Sequence, residues 1–208
     1  MTDSPPTVFV VDDDPSIREA VASLLRSVDL EVRVFASPRD FLQTERPDGP
    51  ACLILDVRLP GLSGLDLQQE LSRSHSGVPI IFITAHADIP MTVSAMKAGA
   101  VEFLTKPFRE QDLLDAVRTA VDWDRDRRTR DSGVAEVRKR YETLTARERE
   151  VLRLVIGGKL NKQVAALLSI SEITVKVHRG QVMRKMNARS FANLLQMMSR
   201  IESNPSVH

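Results

Sequence analysis

Between residues 7 and 121, short apolar runs alternate with stretches whose apolar positions recur every three or four residues. The runs are Val8–Val11, Val32–Phe35, Leu53–Asp56, Pro79–Thr84 and Glu102–Leu104. Near-continuous apolar runs of this length predict strands buried on both faces, because a strand covered on one side only would alternate. The stretches between them predict helices from Pro15 to about Val28, from Pro38 onward, and over Leu65–Ser74, Met91–Ala98 and Glu110–Val121. Asp14-Pro15 and Ser37-Pro38 open two of these helices: the first residue accepts an orphan backbone N–H, and the proline fits the first turn. Five strand–helix repeats predict an α/β, flavodoxin-like (βα)5 unit, a parallel sheet with helices on both faces.

The pattern changes after Val121. Trp123–Arg140 is dominated by charges of alternating sign. That suits an exposed helix continuing from the fifth one, with a flexible tether as the rival and Ser132-Gly133 as a place to break. Thr145 and Glu148 then form a capping box. The helix behind it carries Val151, Leu152 and Val155 on one face, and Gly157-Gly158 ends it. Further helices are predicted over Asn161–Leu168, over Ile173–Met186 behind the cap Ser171, and from Ser190 to about Ile201. Two short helices joined by a three-residue turn, the second rich in Lys, Arg and His, predict a helix-turn-helix within an all-α, four-helix domain. The expected organisation is a first domain over 1–121, a charged and helical linker over 122–142, and a second domain over 143–208.

Charge sharpens this division. Residues 1–120 hold 11 Lys and Arg against 18 Asp and Glu, a net −7, and residues 121–208 hold 18 against 10, a net +8. The halves therefore suit different partners, with a polyanion such as DNA for the basic one. With 42% hydrophobic and 27% charged residues, the chain can bury a core. It has no apolar run long enough for a transmembrane helix, and Met1–Pro6 lacks a signal-peptide hydrophobic region. The single cysteine, Cys52, lies inside an apolar strand. A cytoplasmic protein without disulfides or a membrane partner is expected.

The candidate chemistry sits at the ends of the apolar runs. Asp12, Asp13 and Asp14 follow the first strand, Asp56 ends the third, Thr84 ends the fourth, and Lys106 follows the fifth. Adjacent strands one, three, four and five would bring these side chains to one sheet edge, where open α/β sheets bind ligands. Clustered carboxylates require counter-charge, and hard oxygen ligands suit Mg²⁺. The pattern describes a phosphoryl-acceptor site. Asp56 is the nucleophile; Mg²⁺ is held by Asp13, Asp56 and the backbone oxygen of Arg58, with Asp12 reaching it through water; Lys106 adds positive charge. Plainer roles compete. Asp14 reads as a helix cap, Thr84 could serve a turn, and Lys106 could lie on the surface.

Residues 7–121 resemble the receiver domain of bacterial two-component response regulators through Asp12-Asp13, Asp56, Thr84-Ala85 and Lys106-Pro107. The resemblance implies phosphorylation of Asp56 by a sensor histidine kinase, movement of Thr84 toward the phosphoryl group, a coupled change at Phe103, and a cis Lys106-Pro107 peptide. Phe103 stands where many receivers carry Tyr and lacks the hydroxyl, so a readout through this ring would act by packing only; it could equally be plain core. Residues 143–200 resemble the LuxR-type DNA-binding domain through Leu144-Thr145, Arg147-Glu148-Arg149-Glu150-Val151-Leu152, Gly158, Asn161-Lys162, Ala165, Leu168, Ser171, Thr174-Val175-Lys176 and His178. This implies DNA contacts by Lys176, Val177 and Arg179 to bases or phosphates and by Thr174, His178 and Lys185 to phosphates. Val175 is expected in the core, and His178 could only cap or pack. Gly180 departs from the larger residue often found there. Receiver and output together resemble the FixJ/NarL class, which implies a homodimer when phosphorylated, DNA and RNA polymerase as partners, and no conventional enzyme activity beyond autodephosphorylation. A Mg²⁺-dependent phosphohydrolase is a weaker alternative, because Arg58 stands where its second aspartate belongs. A docking adaptor is the other, distinguished by a shallow salt dependence.

Overall fold

The computed structural model describes residues 5–74 and 76–203; the outer edges of the two predicted domains, residues 1–4 and 204–208, and residue 75 lie outside it. The chain divides into two compact units between Arg128 and Thr129.

The first unit alternates β1 (Thr7–Val11), α1 (Pro15–Arg26), β2 (Glu31–Phe35), α2 (Pro38–Leu42), β3 (Ala51–Asp56), α3 (Gly64–Arg73), β4 (Ile80–Thr84), α4 (Ile89–Lys97), β5 (Glu102–Thr105) and the start of α5 (Glu110–Glu142). The five strands form one parallel sheet in the order β2-β1-β3-β4-β5. Every residue of β1, β3 and β4 is buried. Successive side chains point to opposite faces of a strand. Phe9, Leu53, Leu55 and Phe82 thus pack on one side with Phe41 of α2, Leu67 and Leu71 of α3 and Ala95 of α4. Val8, Val10, Ile54, Ile81 and Ile83 pack on the other with Val21 and Leu25 of α1 and Leu113 and Val117 of α5. Cys52 is buried there too, and burial pushes its thiol well up. The edge strands β2 and β5 are partly exposed.

Helix starts follow from side-chain caps. Asp14 accepts from the N–H groups of Ser16 and Ile17, Ser37 from Asp40, and Asp88 from Met91. Ser63 and Asp66 form a capping box that the sequence reading missed, starting α3 at Gly64. α5 runs unbroken through Ser132-Gly133 to Glu142. A Cβ at Gly133 would meet nothing, so this glycine serves no packing need and costs the helix about 1 kcal/mol relative to Ala.

The second unit holds the end of α5, then α6 (Ala146–Ile156), α7 (Asn161–Leu168), α8 (Glu172–Met186) and α9 (Phe191–Ser203). Thr145 and Glu148 form the expected capping box, and Gly158 takes the left-handed conformation after α6 (φ +81°). Ser169 (φ 53°) makes the turn between α7 and α8, and Ser171 caps α8 through the Thr174 N–H. Leu144, Leu152, Val182, Met186 and Leu194 fill one core cluster, and Val151, Val155, Val164, Ala165 and Val175 another. None of the described helices is long and apolar enough to cross a membrane.

Candidate functional site

The strand order brings β1, β3, β4 and β5 side by side, so their C-terminal ends share one edge. Asp12 is fully buried there. Its Oδ1 accepts the Asp14 N–H at 2.9 Å and its Oδ2 the Lys106 ammonium at 2.6 Å. Lys106 also donates to Asp56 Oδ2 at 2.7 Å, and the Arg58 N–H donates to Asp56 Oδ1 at 3.0 Å. Lys106 thus bridges two carboxylates. It is placed by its own N–H on the Thr84 carbonyl (2.8 Å), and the following Lys106–Pro107 peptide is cis.

Asp13 is exposed, and carboxylate oxygens of Asp12, Asp13 and Asp56 lie within 4.8 Å of one another. Three carboxylates then face one ammonium, and the pocket keeps an excess of negative charge. Burial holds the Asp12 carboxyl above its ordinary range, partly offset by Lys106 and the Asp14 N–H. Burial would lower the Lys106 ammonium, but its bonds to Asp12 and Asp56 outweigh that and raise it. The donor set is all hard oxygen and under-neutralised, so it suits a divalent cation such as Mg²⁺ rather than a soft metal.

The other predicted residues fall as follows. Asp14 is the cap of α1. Thr84 is buried with its hydroxyl turned into the next turn, accepting the His86 N–H at 3.3 Å. Phe103 is half-buried against the sheet, its ring 5.9 Å from Phe82. Two contributors were missed. Arg18 donates to the Asp12 carbonyl at 2.6 Å, from the first turn of α1. Gly64 lies against β3 so closely that a Cβ would stand 2.3 Å from the Asp56 carbonyl oxygen. The only sequence signal for it was a glycine directly after the cap Ser63.

In the second unit, positions 173, 176, 177 and 180 follow one helical face of α8. Ile173 is 75% and Val177 55% exposed, and Lys176 and Gly180 are exposed as well. A Cβ on Gly180 would meet nothing. Thr174 is held at the helix start, its hydroxyl 2.8 Å from that of Ser171, and His178 is half-buried. Val175 is core.

Lys185 and Arg179, expected at DNA, have partners within the unit. The Lys185 ammonium donates to Glu148 at 2.7 Å and to the Thr143 carbonyl at 3.3 Å, so it braces α8 against the start of α6. Glu148 was legible only as a cap; that it also holds a lysine was not. Arg179 donates to Asn161 Oδ1 at 2.6 Å, and its guanidinium lies 5.8 Å from the Phe191 ring centre. It ties α7 to α8 and is only partly exposed.

Comparison with known proteins gives two family matches: a response regulator receiver domain over residues 8–118, and the luxR family of bacterial regulatory proteins over 142–198. The chain is 58% identical to nodulation protein W of Bradyrhizobium diazoefficiens, over 91% of this chain and 84% of that protein. It is 46% identical to the response regulator protein TodT of Pseudomonas putida, over 97% and 89%. Among solved structures, the response regulator StyR superposes with a TM-score of 0.83 at 50% identity, covering 95% of this chain and all of that one. Full-length FixJ from B. japonicum superposes with a TM-score of 0.57 at 34% identity, covering 95% and 97%.

Proposed function

The chain belongs to the response regulators that join a receiver domain to a LuxR-type DNA-binding domain, and we propose that its transcriptional output is switched by phosphorylation of Asp56. The observation that carries this reading is the bridging of Asp12 and Asp56 by Lys106 beside Asp13 at one sheet edge.

Asp56 Oδ attacks the phosphorus of a sensor kinase phosphohistidine. The new O–P bond forms as the P–N bond breaks, and the imidazole leaves with a proton taken from solvent. Lys106 already lies on Asp56, and its charge offsets the negative charge that arrives with the phosphoryl group. Asp13, Asp56 and the Arg58 carbonyl would hold Mg²⁺, with Asp12 acting through water; the bound ion supplies further neutralisation of the phosphoryl oxygens. The Thr84 hydroxyl leaves His86 to reach the phosphoryl group, and Phe103 repacks with it. The chain then pairs as a homodimer in the cytoplasm and places two copies of α8 on DNA half-sites, within reach of RNA polymerase. Lys176 and Val177 face bases, with Thr174 and His178 nearer phosphates. The receiver runs over 1–121, the linker over 122–142 and the output domain over 143–208. The chain is a regulator rather than a conventional enzyme; autodephosphorylation resets it.

The test is DNA binding at two salt concentrations, with and without acetyl phosphate and Mg²⁺, for the chain and for Asp56→Asn. Tighter binding that needs phosphodonor and Asp56 is expected. Equal tightening by Asp56→Asn refutes the switch.

A further inference from the structure

The linker begins with a buried carboxylate. Of residues 122–130, all described, only Asp124 is buried, and it is completely so. Apart from Trp123, which is about half exposed, the rest of this stretch is polar, and it buries no apolar face with which to dock. Asp124 Oδ2 accepts the backbone N–H of Ala51, the first residue of β3, at 2.9 Å. The same oxygen accepts Arg128 Nε at 2.7 Å, and Oδ1 accepts Arg127 Nη2 at 2.6 Å and Nε at 3.1 Å. Arg128 goes on to the carbonyls of Asp48 (3.0 Å) and Pro47 (3.4 Å), just before β3.

Two further features belong to this cluster. Arg46 donates to the Ser76 carbonyl at 2.9 Å; burial and then the charges of Arg127 and Arg128 lower its guanidinium. Gly77, at φ +62°, leaves room for Arg127: a Cβ there would stand 2.7 Å from the guanidinium carbon. These arginines donate to Asp124 and to backbone carbonyls, so the cluster is a tie within the protein and not a pocket for an outside anion.

We propose that Asp124 is a positioning residue: it locks the first turns of the linker to the N-terminal end of β3, the strand whose other end carries Asp56, so that α5 leaves the receiver in one fixed register. This rests on the switch proposed above. Without the latch, residues 122–128 are no longer pinned at the start of β3, and events at Asp56 no longer reach the output domain through a held helix.

The test uses the full chain, Asp124→Asn and the milder Arg128→Gln, which leaves Asp124 its bonds to Arg127 and Ala51. The DNA is a duplex selected by the unmodified chain from a random-sequence library. Acetyl phosphate should phosphorylate Asp56 at a rate within about twofold of the unmodified chain, since the pocket is untouched. Amide exchange over 122–128 should accelerate about tenfold or more in Asp124→Asn, with the strands unchanged beyond Ala51 itself. The ratio of DNA affinities with and without phosphodonor should fall toward one, with Arg128→Gln intermediate. A merely stabilising role would leave that ratio intact in the folded, phosphorylated protein. Unchanged exchange, or a full affinity ratio in a phosphorylated variant, overturns the proposal. If Asp124→Asn does not fold, Arg128→Gln decides by the same readouts. If the unmodified chain itself ignores phosphodonor, the switch has failed, and the exchange result alone decides whether Asp124 holds the helix.

Discussion

Replacing Lys185 by Met separates a structural lysine from a DNA-binding one. The Lys185 ammonium sits 2.7 Å from Glu148 Oε2, with the two side chains 28% and 6% exposed. That same oxygen also accepts the Thr145 N–H at 2.7 Å. Removing the ammonium leaves a buried carboxylate with its cap bond alone. Breaking a fully buried pair costs about 3–5 kcal/mol, and a hydrogen bond to a charged group is worth about 1.5–3. The partial exposure of Lys185 puts the loss near 2 kcal/mol. At about 4–8 °C per kcal/mol for a small domain, the melting transition of the second unit should fall by roughly 10 °C.

The loss has a pH signature. Burial pushes the Glu148 carboxyl up, but Lys185 and the Thr145 N–H outweigh it and hold the group below its ordinary value of 4.5. A depressed carboxyl contributes fully above that value and loses its contribution as pH falls through the folded pKa. The gap between the unmodified chain and Lys185→Met should therefore be largest near neutral pH and close in acid, as pH falls below 4.5 and through the depressed folded pKa. Scanning calorimetry of the full chain at both ends of this range measures it. An unchanged melting temperature at neutral pH, with DNA binding whose salt slope has dropped by about one, would refute the brace and return Lys185 to a phosphate.

Lys176→Met should leave the melting temperature within about 0.5 kcal/mol equivalent, because its side chain is exposed, yet weaken DNA binding and lower the salt slope by about one in a filter or anisotropy titration. Gly180→Ala should stabilise the second unit by about 0.5–1 kcal/mol in calorimetry, because the added methyl meets nothing in the protein and the helix loses its most flexible residue. Gly64→Ala should cost about 3 kcal/mol or more and slow phosphorylation by acetyl phosphate, because the new Cβ would lie 2.3 Å from the Asp56 carbonyl oxygen and 3.0 Å from Val57 Cα, both fixed backbone. Millimolar Mg²⁺ should raise the receiver's melting temperature, and Asp13→Asn should remove most of that gain, since only a ligand bound to the folded state stabilises it.

The sheet was legible because β1, β3 and β4 are buried on both faces, which leaves short uninterrupted apolar runs, too short for buried helices and rich in Val and Ile. The pocket was legible for a related reason: a charged residue at the end of such a run belongs at the strand's edge, as Asp12 and Asp56 do, and Lys106, after the partly exposed β5, joins them there. Residues whose partners come from distant parts of the chain were not legible. Helical phase places Lys185 and Arg179 on α8 but does not reveal that Glu148 and Asn161 face them. Asp124 lay hidden among alternating charges that resemble a solvated face; its burial depends on Ala51, which no local pattern connects to it. The charged stretch suited a continuing helix that Ser132-Gly133 could have broken, and α5 passes through it.

The basic charge of the second half therefore overstates what DNA can meet. Lys185 is bound to Glu148, Arg179 to Asn161, and Arg147 and Arg149 donate to the carbonyls of Leu168 and Glu142. These cations brace helices of the same unit, so the net +8 of residues 121–208 is in part an internal scaffold. What α8 presents outward along this face is Lys176 and Arg184 beside the branched apolar side chains of Ile173 and Val177, with no side chain at Gly180. Such a face, with two cations, gains less from counterion release than the net charge suggests and more from fit: apolar side chains discriminate by contact with thymine methyl groups, and the gap at Gly180 sets no steric limit on how closely the helix seats. On the proposed DNA reading, the chain's affinity should thus depend on salt less steeply than its charge alone suggests, and its discrimination should rest on the few side chains of α8 that no other helix claims.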